Sequence, residues 1–231
     1  MIDHIDPATD EPWCDEHRPE ELLGWHFLPD DGRLRFGRRK RVEVGQTLTC
    51  KRIEMCKRGY HASPRAIDAL KYAPGAIVCR VRLSGRILED TDKAVATERT
   101  CLAMADATTT LRLFACWCAE QSLKAERKAG REPDPRSWEA VKVAKRYIAG
   151  KASDIALIAA LSAATSAATS FATSAATSAV RSTATSAVTS AALSAATSAA
   201  LSAATSAATS AQNRKLETML DKLLLEGDHP C

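Results

Sequence analysis

The stretch Gly59-Tyr60-His61-Ala62-Ser63-Pro64 holds the residue types that come nearest to chemistry. His61 sits in a Gly-flanked loop just ahead of a run, Arg65 to Tyr72, that reads as a helix. A helix N-terminus presents unbonded N–H groups and a positive partial charge, so this placement suits an anion. The same field lowers the pKa of a nearby imidazole. Ser63 is close enough along the chain to be oriented by His61. Together with Tyr72 and Glu98 they form a candidate small-ligand or nucleotide site, with His61 and Ser63 as its binding pair. The same four residues, His61, Ser63, Tyr72 and Glu98, are the candidates for catalysis. The plainer alternative is that His61 and Ser63 only fix their loop through local hydrogen bonds.

A second kind of chemistry is offered by Arg33, Arg35, Arg38, Arg39, Lys40 and Arg41, the densest basic cluster in the chain. Such a cluster can contact phosphates, and Phe36 among them can stack on a base. Equally, it can be the solvated tip of a hairpin, where charge discourages edge pairing. Net charge is +4 over 231 residues, which argues against a dedicated nucleic-acid binder. Metal chemistry finds little support. Cys14 and His17 have C-x-x-H spacing, but no second pair follows at zinc-site distance. Cys116 and Cys118 lie two apart on a predicted helix and point to different sides. The eight cysteines show no disulfide framework, so free thiols in a reducing compartment are expected. No metal and no cofactor is called for.

These residues need elements to position them. Residues 1–23 read as an irregular polar arm without an apolar leader segment. From Gly24, short alternating segments are set between turn signals: Trp25 to Leu28, Arg33 to Phe36, and Val42 to Val44. They predict a hairpin or meander. Ser63 and Pro64 read as cap and first residue of a short helix that turns Ile67, Leu70 and Tyr72 inward. Ala76 to Ser84 is a strand with Ile77, Cys79, Val81 and Leu83 on one face and Arg80 and Arg82 on the other. It continues through Arg86-Ile87-Leu88. Asp106 caps a helix reaching about Ala129, with Leu111, Phe114, Ala115 and Cys118 on one stripe. Asp134-Pro135 starts another, lined by Val141, Val143, Ala144, Tyr147 and Ile148 and closed by Gly150. The fold class is α+β: a small, mostly antiparallel sheet with helices over residues 24–150.

Residues 151–211 are different in kind. Serine recurs every fourth position from Ser162 to Ser210, mostly separated by Ala-Ala-Thr, and Arg181 is the only charge within the tract. Alanine favours helix, with small costs for Ser and Thr. Four residues advance about 400° at about 100° each, so the Ser stripe drifts around a helix. No face stays apolar, and a long straight partner loses register. The same drift spoils the aligned Thr face that ice binding needs. Strands and disorder are the alternatives to helix. The abundance of Ser and Thr argues against a membrane span. The tract is expected to act as a spacer or to self-associate, as a homo-oligomer or a compact helical stack, with Phe171, Arg181, Leu193 and Leu201 marking turns or fixing register. Residues 212–231 hold an amphipathic helix, with Leu216, Met219, Leu220, Leu223 and Leu224 along one stripe, able to pack on the domain or on another copy.

Gly24-Trp25-His26-Phe27-Leu28, Val44-Gly45, Cys56 through Ser63, Asp68-Ala69-Leu70 with Tyr72-Ala73, Cys79-Arg80-Val81, Ser84-Gly85, Asp92-Lys93 and Glu98-Arg99 together resemble an uncharacterised domain family of bacteriophage and prophage proteins. In that family low-complexity repeats often follow the domain. The resemblance implies a phage accessory or assembly protein, cytoplasmic in the host or virion-associated, with a host or phage protein as partner. It carries no activity or catalytic residues to transfer. A His, Tyr and Glu set on mixed β structure is also loosely similar to ADP-ribosyltransferases, with His26 or His61 in the histidine role.

Overall fold

The computed structural model of the chain describes residues 21–35, 40–130, 132–170 and 206–226. Cys14, His17, Phe36, Arg38, Arg39, residues 171–205 of the repeat and Cys231 lie outside the described residues. The order is β1 (Glu21–Leu28), β2 (Thr47–Thr49), β3 (Tyr60–Ala62), α1 (Ala66–Lys71), β4 (Ile77–Glu89), β5 (Ala94–Asp106), α2 (Thr108–Lys128), α3 (Pro135–Ile148), α4 (Asp154–Ser170) and α5 (Ser206–Glu226). The expected α+β architecture with an antiparallel sheet is what the chain forms.

β4 and β5 are the long central pair, and every strand pairing is antiparallel. β1 lies along β4, while β5 carries both β3 and β2 on its free side. The sheet curls until β3 meets β1: Trp25 and Ser63 exchange backbone hydrogen bonds of 2.8 and 3.0 Å. The strands β1, β4, β5 and β3 therefore close into a ring. Gly24 permits that closure, since a Cβ there would meet the Ser63 carbonyl oxygen at 3.0 Å and the Ala62 methyl at 3.1 Å. Two register shifts between β4 and β5 supply the curvature.

Alternation along the strands sorts the core into two faces. Cys79, Val81 and Leu83 pack inward with Leu28, Leu48, Ala62, Ala94, Ala96 and Cys101, and Val42 covers them. Trp25, Phe27 and Val78 face outward under α1, α2 and α5. The predicted α2 stripe of Leu111, Phe114, Ala115 and Cys118 lies in that outer layer, while Cys116 joins a separate cluster with α3 and α4. The Asp134 carboxylate accepts from the Arg136 N–H at 2.8 Å with Pro135 behind it, as the start signal required.

Several expectations are corrected. β1 begins at Glu21, so the domain reaches into the stretch read as an arm. His61 lies on a strand rather than a loop. α1 has Arg65, not Ser63, at its N-cap, and no side-chain hydrogen bond caps it there. Tyr72 is half exposed rather than inward. Among the described residues the hairpin after Gly32 shows an isolated Arg33–Arg41 bridge, with backbone bonds from Leu34 to Lys40 and from Val42 to Gly32, and no extended strand.

The boundary drawn at residue 150 also moves. α4 buries Leu157 and Ala164 against α2 and α3, and its helix continues into the first residues of the repeat. α5 begins inside the repeat and buries Leu216, Leu220 and Leu224 in the outer layer of the sheet. The closing stripe thus packs on the domain. Burying a leucine contributes about 1.5–3 kcal/mol. Both flanks of the repeat are consequently anchored on one body.

Candidate anion-binding cavity

A cavity of about 550 Å³ lies where β3 approaches β1, roofed by the C-terminal end of α1. Its position follows from the strand ring, whose wall is interrupted where only the single Trp25–Ser63 bridge joins β3 to β1. His26, Tyr60, His61, Ser63, Tyr72 and Arg99 all contribute to its wall. Cys56, Lys71 and Lys93 stand with Tyr72 along the same cavity, and Leu34 and Arg35 reach it from the hairpin.

Arg99 is the centre of the site. It is only 4 % exposed. Its Nη1 donates to the His61 carbonyl at 2.8 Å, and its guanidinium lies 5.4 Å from the Tyr60 ring centroid. Among the described residues no carboxylate is within 4.0 Å of it. Burial pulls its pKa down, opposed by Cys79, Cys101 and Tyr60. An arginine is not deprotonated in proteins, so it remains a cation. Buried charges are ordinarily paired, and this one has a carbonyl and a ring face in place of an anion. The Cys101 thiol is held below its ordinary range by a hydrogen bond from Cys79 and, against burial, by Arg99; that same bond, then burial, pushes Cys79 up.

The two histidines differ. His26 is enclosed by protein yet open to the cavity, and no hydrogen bond to it is found among the described residues. Burial, then the Arg99 and His61 charges, draws its imidazole well below the ordinary 6.5, so it is neutral at pH 7. His61 is used internally: its Nε2 accepts the Cys56 N–H at 3.0 Å. Burial lowers its pKa most, the Gly59 bond opposes, and Arg99 and Lys93 add to the lowering.

His61 thereby latches a strained turn. Cys56 has φ +63°, a left-handed conformation that residues with a side chain seldom adopt. Gly59 has φ +111°, and a Cβ there would lie 2.5 Å from a Val95 methyl. The Cys56–His61 bond is of the loop-fixing kind.

Tyr72 heads a polar cluster along the cavity. Its hydroxyl lies 2.9 and 3.0 Å from the two Asp92 oxygens and accepts from Lys93 Nζ at 3.2 Å. Burial raises the Asp92 carboxyl, but bonds from Tyr72 and Lys71 outweigh it and hold the pKa below its ordinary value. Tyr72, then Cys56, raises the Lys93 ammonium, which stays charged.

Glu98 is not brought to this site. Neighbours on a strand face opposite ways, so Arg99 enters the cavity while Glu98 accepts from Ser84 Oγ at 3.0 Å on the other face. The His–Tyr–Glu set of an ADP-ribosyltransferase is therefore not assembled here. The N-terminus of α1, which follows Ser63, is also unavailable to an anion. Glu217 Oε1 accepts from the Ala66 N–H at 3.2 Å and Asn213 Oδ1 from the Ile67 N–H at 3.1 Å. Ser63 is buried, its backbone spent on the bridge to Trp25.

Of the basic cluster, Lys40 and Arg41 are exposed, and Arg33 and Arg35 already have partners. In the sequence, Arg99, the residue that defines the cavity, stands out only within the set of residues that carries the family resemblance. Its signal was a lone arginine among Ala, Val and Cys on a strand, which reads as surface until the bulges set its face. Among the described residues no cluster of His, Cys, Asp and Glu can hold a metal, and no helix is long and apolar enough to cross a membrane. No curated protein and no solved structure matches the chain. A family model described as Domain of unknown function (DUF7666) matches residues 34–113, from the hairpin through β5 into the first turn of α2.

Proposed function

We propose that this protein is a non-catalytic binding protein whose cavity takes a small anionic ligand of the nucleoside-phosphate class. One observation carries the reading: Arg99 is a buried cation with no carboxylate within 4.0 Å among the described residues, open to a cavity of about 550 Å³. That volume falls in the range of small-molecule sites, roughly 300–1,000 Å³. The anion completes the pairing that Arg99 lacks. Tyr60 and Tyr72 offer aromatic surface for a base, and Lys71 and Lys93 add positive charge along the cavity. His26 is neutral and has no hydrogen-bond partner among the described residues, so it can accept or donate one hydrogen bond. Titration of the full chain with adenosine monophosphate, followed by tryptophan fluorescence, tests this. Saturable binding that Arg99→Met abolishes supports it; binding equal in both proteins refutes it.

The phage accessory or assembly role rests on the family resemblance and on the repeat, and a host or phage protein partner and a place in the host cytoplasm or the virion come with it. Because both flanks of the repeat pack on one body, the tract does not separate two bodies. That supports self-association over spacing. Light scattering then gives an oligomer for the intact chain and a monomer once residues 171–205 are replaced by a short linker. An intact chain that is monomeric refutes the assembly role.

A further inference from the structure

We infer that Asn213 and Glu217 of the C-terminal helix are positioning residues of the cavity, acting through α1; this rests on the anion-binding reading. α1 has six residues and no side-chain cap of its own. So short a helix does not persist in water unaided. Its first N–H groups are satisfied from across the repeat, by Glu217 and Asn213. The acceptors are well placed: Asn213 is buried, and Leu216 and Leu220 of the same helix are fully buried beside Ala66, Ile67 and Leu70. Glu217 also sets a negative charge at the positive end of α1.

The far end of α1 is the cavity roof. Ala69, Lys71, Tyr72, Ala73 and Pro74 line it. Lys71 and Tyr72 hold Asp92, and Tyr72 holds Lys93, which fixes the positive charge along the cavity. The order of dependence runs from α5 to α1 to the ligand. Linkage makes it reciprocal, so a ligand that orders the roof also tightens α5 on the domain. The matched family segment, residues 34–113, thus lacks part of its own binding site. The missing part is delivered by residues beyond the repeat, whose other flank, α4, is anchored on the α2 and α3 layer.

The test compares four full-length proteins: wild type, Asn213→Ala/Glu217→Ala, Asn213→Asp, and Leu123→Ala. Leu123 is buried away from the cavity in the α2–α3–α4 cluster, so its loss lowers stability alone. Affinity for adenosine monophosphate and hydrogen exchange of residues 66–74 are read for each. The double variant is expected to bind about tenfold more weakly and to lose protection in α1 without ligand. Asn213→Asp keeps an acceptor and restores affinity to near wild type, and Leu123→Ala keeps both affinity and α1 protection. Wild-type affinity or wild-type α1 protection in the double variant overturns the inference. If wild type itself does not bind, the cavity reading fails and takes this inference with it, while α1 exchange still reports the capping separately.

Discussion

Leu220→Ala isolates the docking of α5 from every other property of that helix. Leu220 is fully buried against a layer that includes Trp25, Ile67, Leu70 and Phe114. Alanine is the best helix former, so the helix itself loses nothing. What is lost is burial of the leucine side chain plus the cavity it leaves, about 3–5 kcal/mol in well-packed sites. Against a total stability of about 5–15 kcal/mol, that is a large fraction. For a domain of this size about 1 kcal/mol moves Tm by roughly 2–4 °C, so a drop of about 6–12 °C is the lower expectation. Leu225 is 75 % exposed on the same helix, and Leu225→Ala is expected to stay within about 0.5 kcal/mol of wild type. Urea unfolding followed by tryptophan fluorescence gives both values. Equal, small shifts for the two variants would refute the claim that the chain beyond the repeat completes the core.

Further outcomes follow from the ring and the cavity. Gly24→Val pushes a side chain against Ser63 and Ala62, breaking the β1–β3 bridge at a cost of about 1–3 kcal/mol; retained amide protection at Trp25 and Ser63 would contradict it. The folded pKa of His26 is depressed, so the unfolded chain takes up the proton first. Stability is therefore full above pH 6.5 and falls as the pH drops below it. His26→Gln should flatten most of that slope, leaving the smaller part due to His61, whose pKa moves the same way; an unchanged slope would show that His26 is not held neutral.

How much could be read from the chain alone differs by element. The β4 stripe of Ile77, Cys79, Val81 and Leu83 was legible because large apolar residues alternate with arginines. The α2 and α3 stripes and the Asp134-Pro135 start were legible because caps and periodicity are local signals. β5 was not, since Ala94, Ala96, Ala103 and Ala105 alternate without bulk and its pattern is broken by two bulges. His61 lines the cavity, but its bond to the Cys56 N–H depends on a left-handed backbone at Cys56 that leaves no mark in the sequence. The capping of α1 by Asn213 and Glu217 spans 146 and 151 residues and is invisible to any local rule. Arg99 became a site only once the bulge before it turned its side chain inward.

The claim that Arg99 anchors an anion is tested most directly by the calorimetric Tm of wild type and Arg99→Met, each in chloride and in adenosine monophosphate. A ligand that binds only the folded state raises Tm by mass action, so wild type should rise with the nucleotide and Arg99→Met should not. In chloride, Arg99→Met should melt at or above wild type, because an apolar chain replaces a buried cation that has no carboxylate within 4.0 Å among the described residues. An Arg99→Met protein that melts well below wild type in chloride, with the nucleotide shifting both proteins equally, would contradict the account.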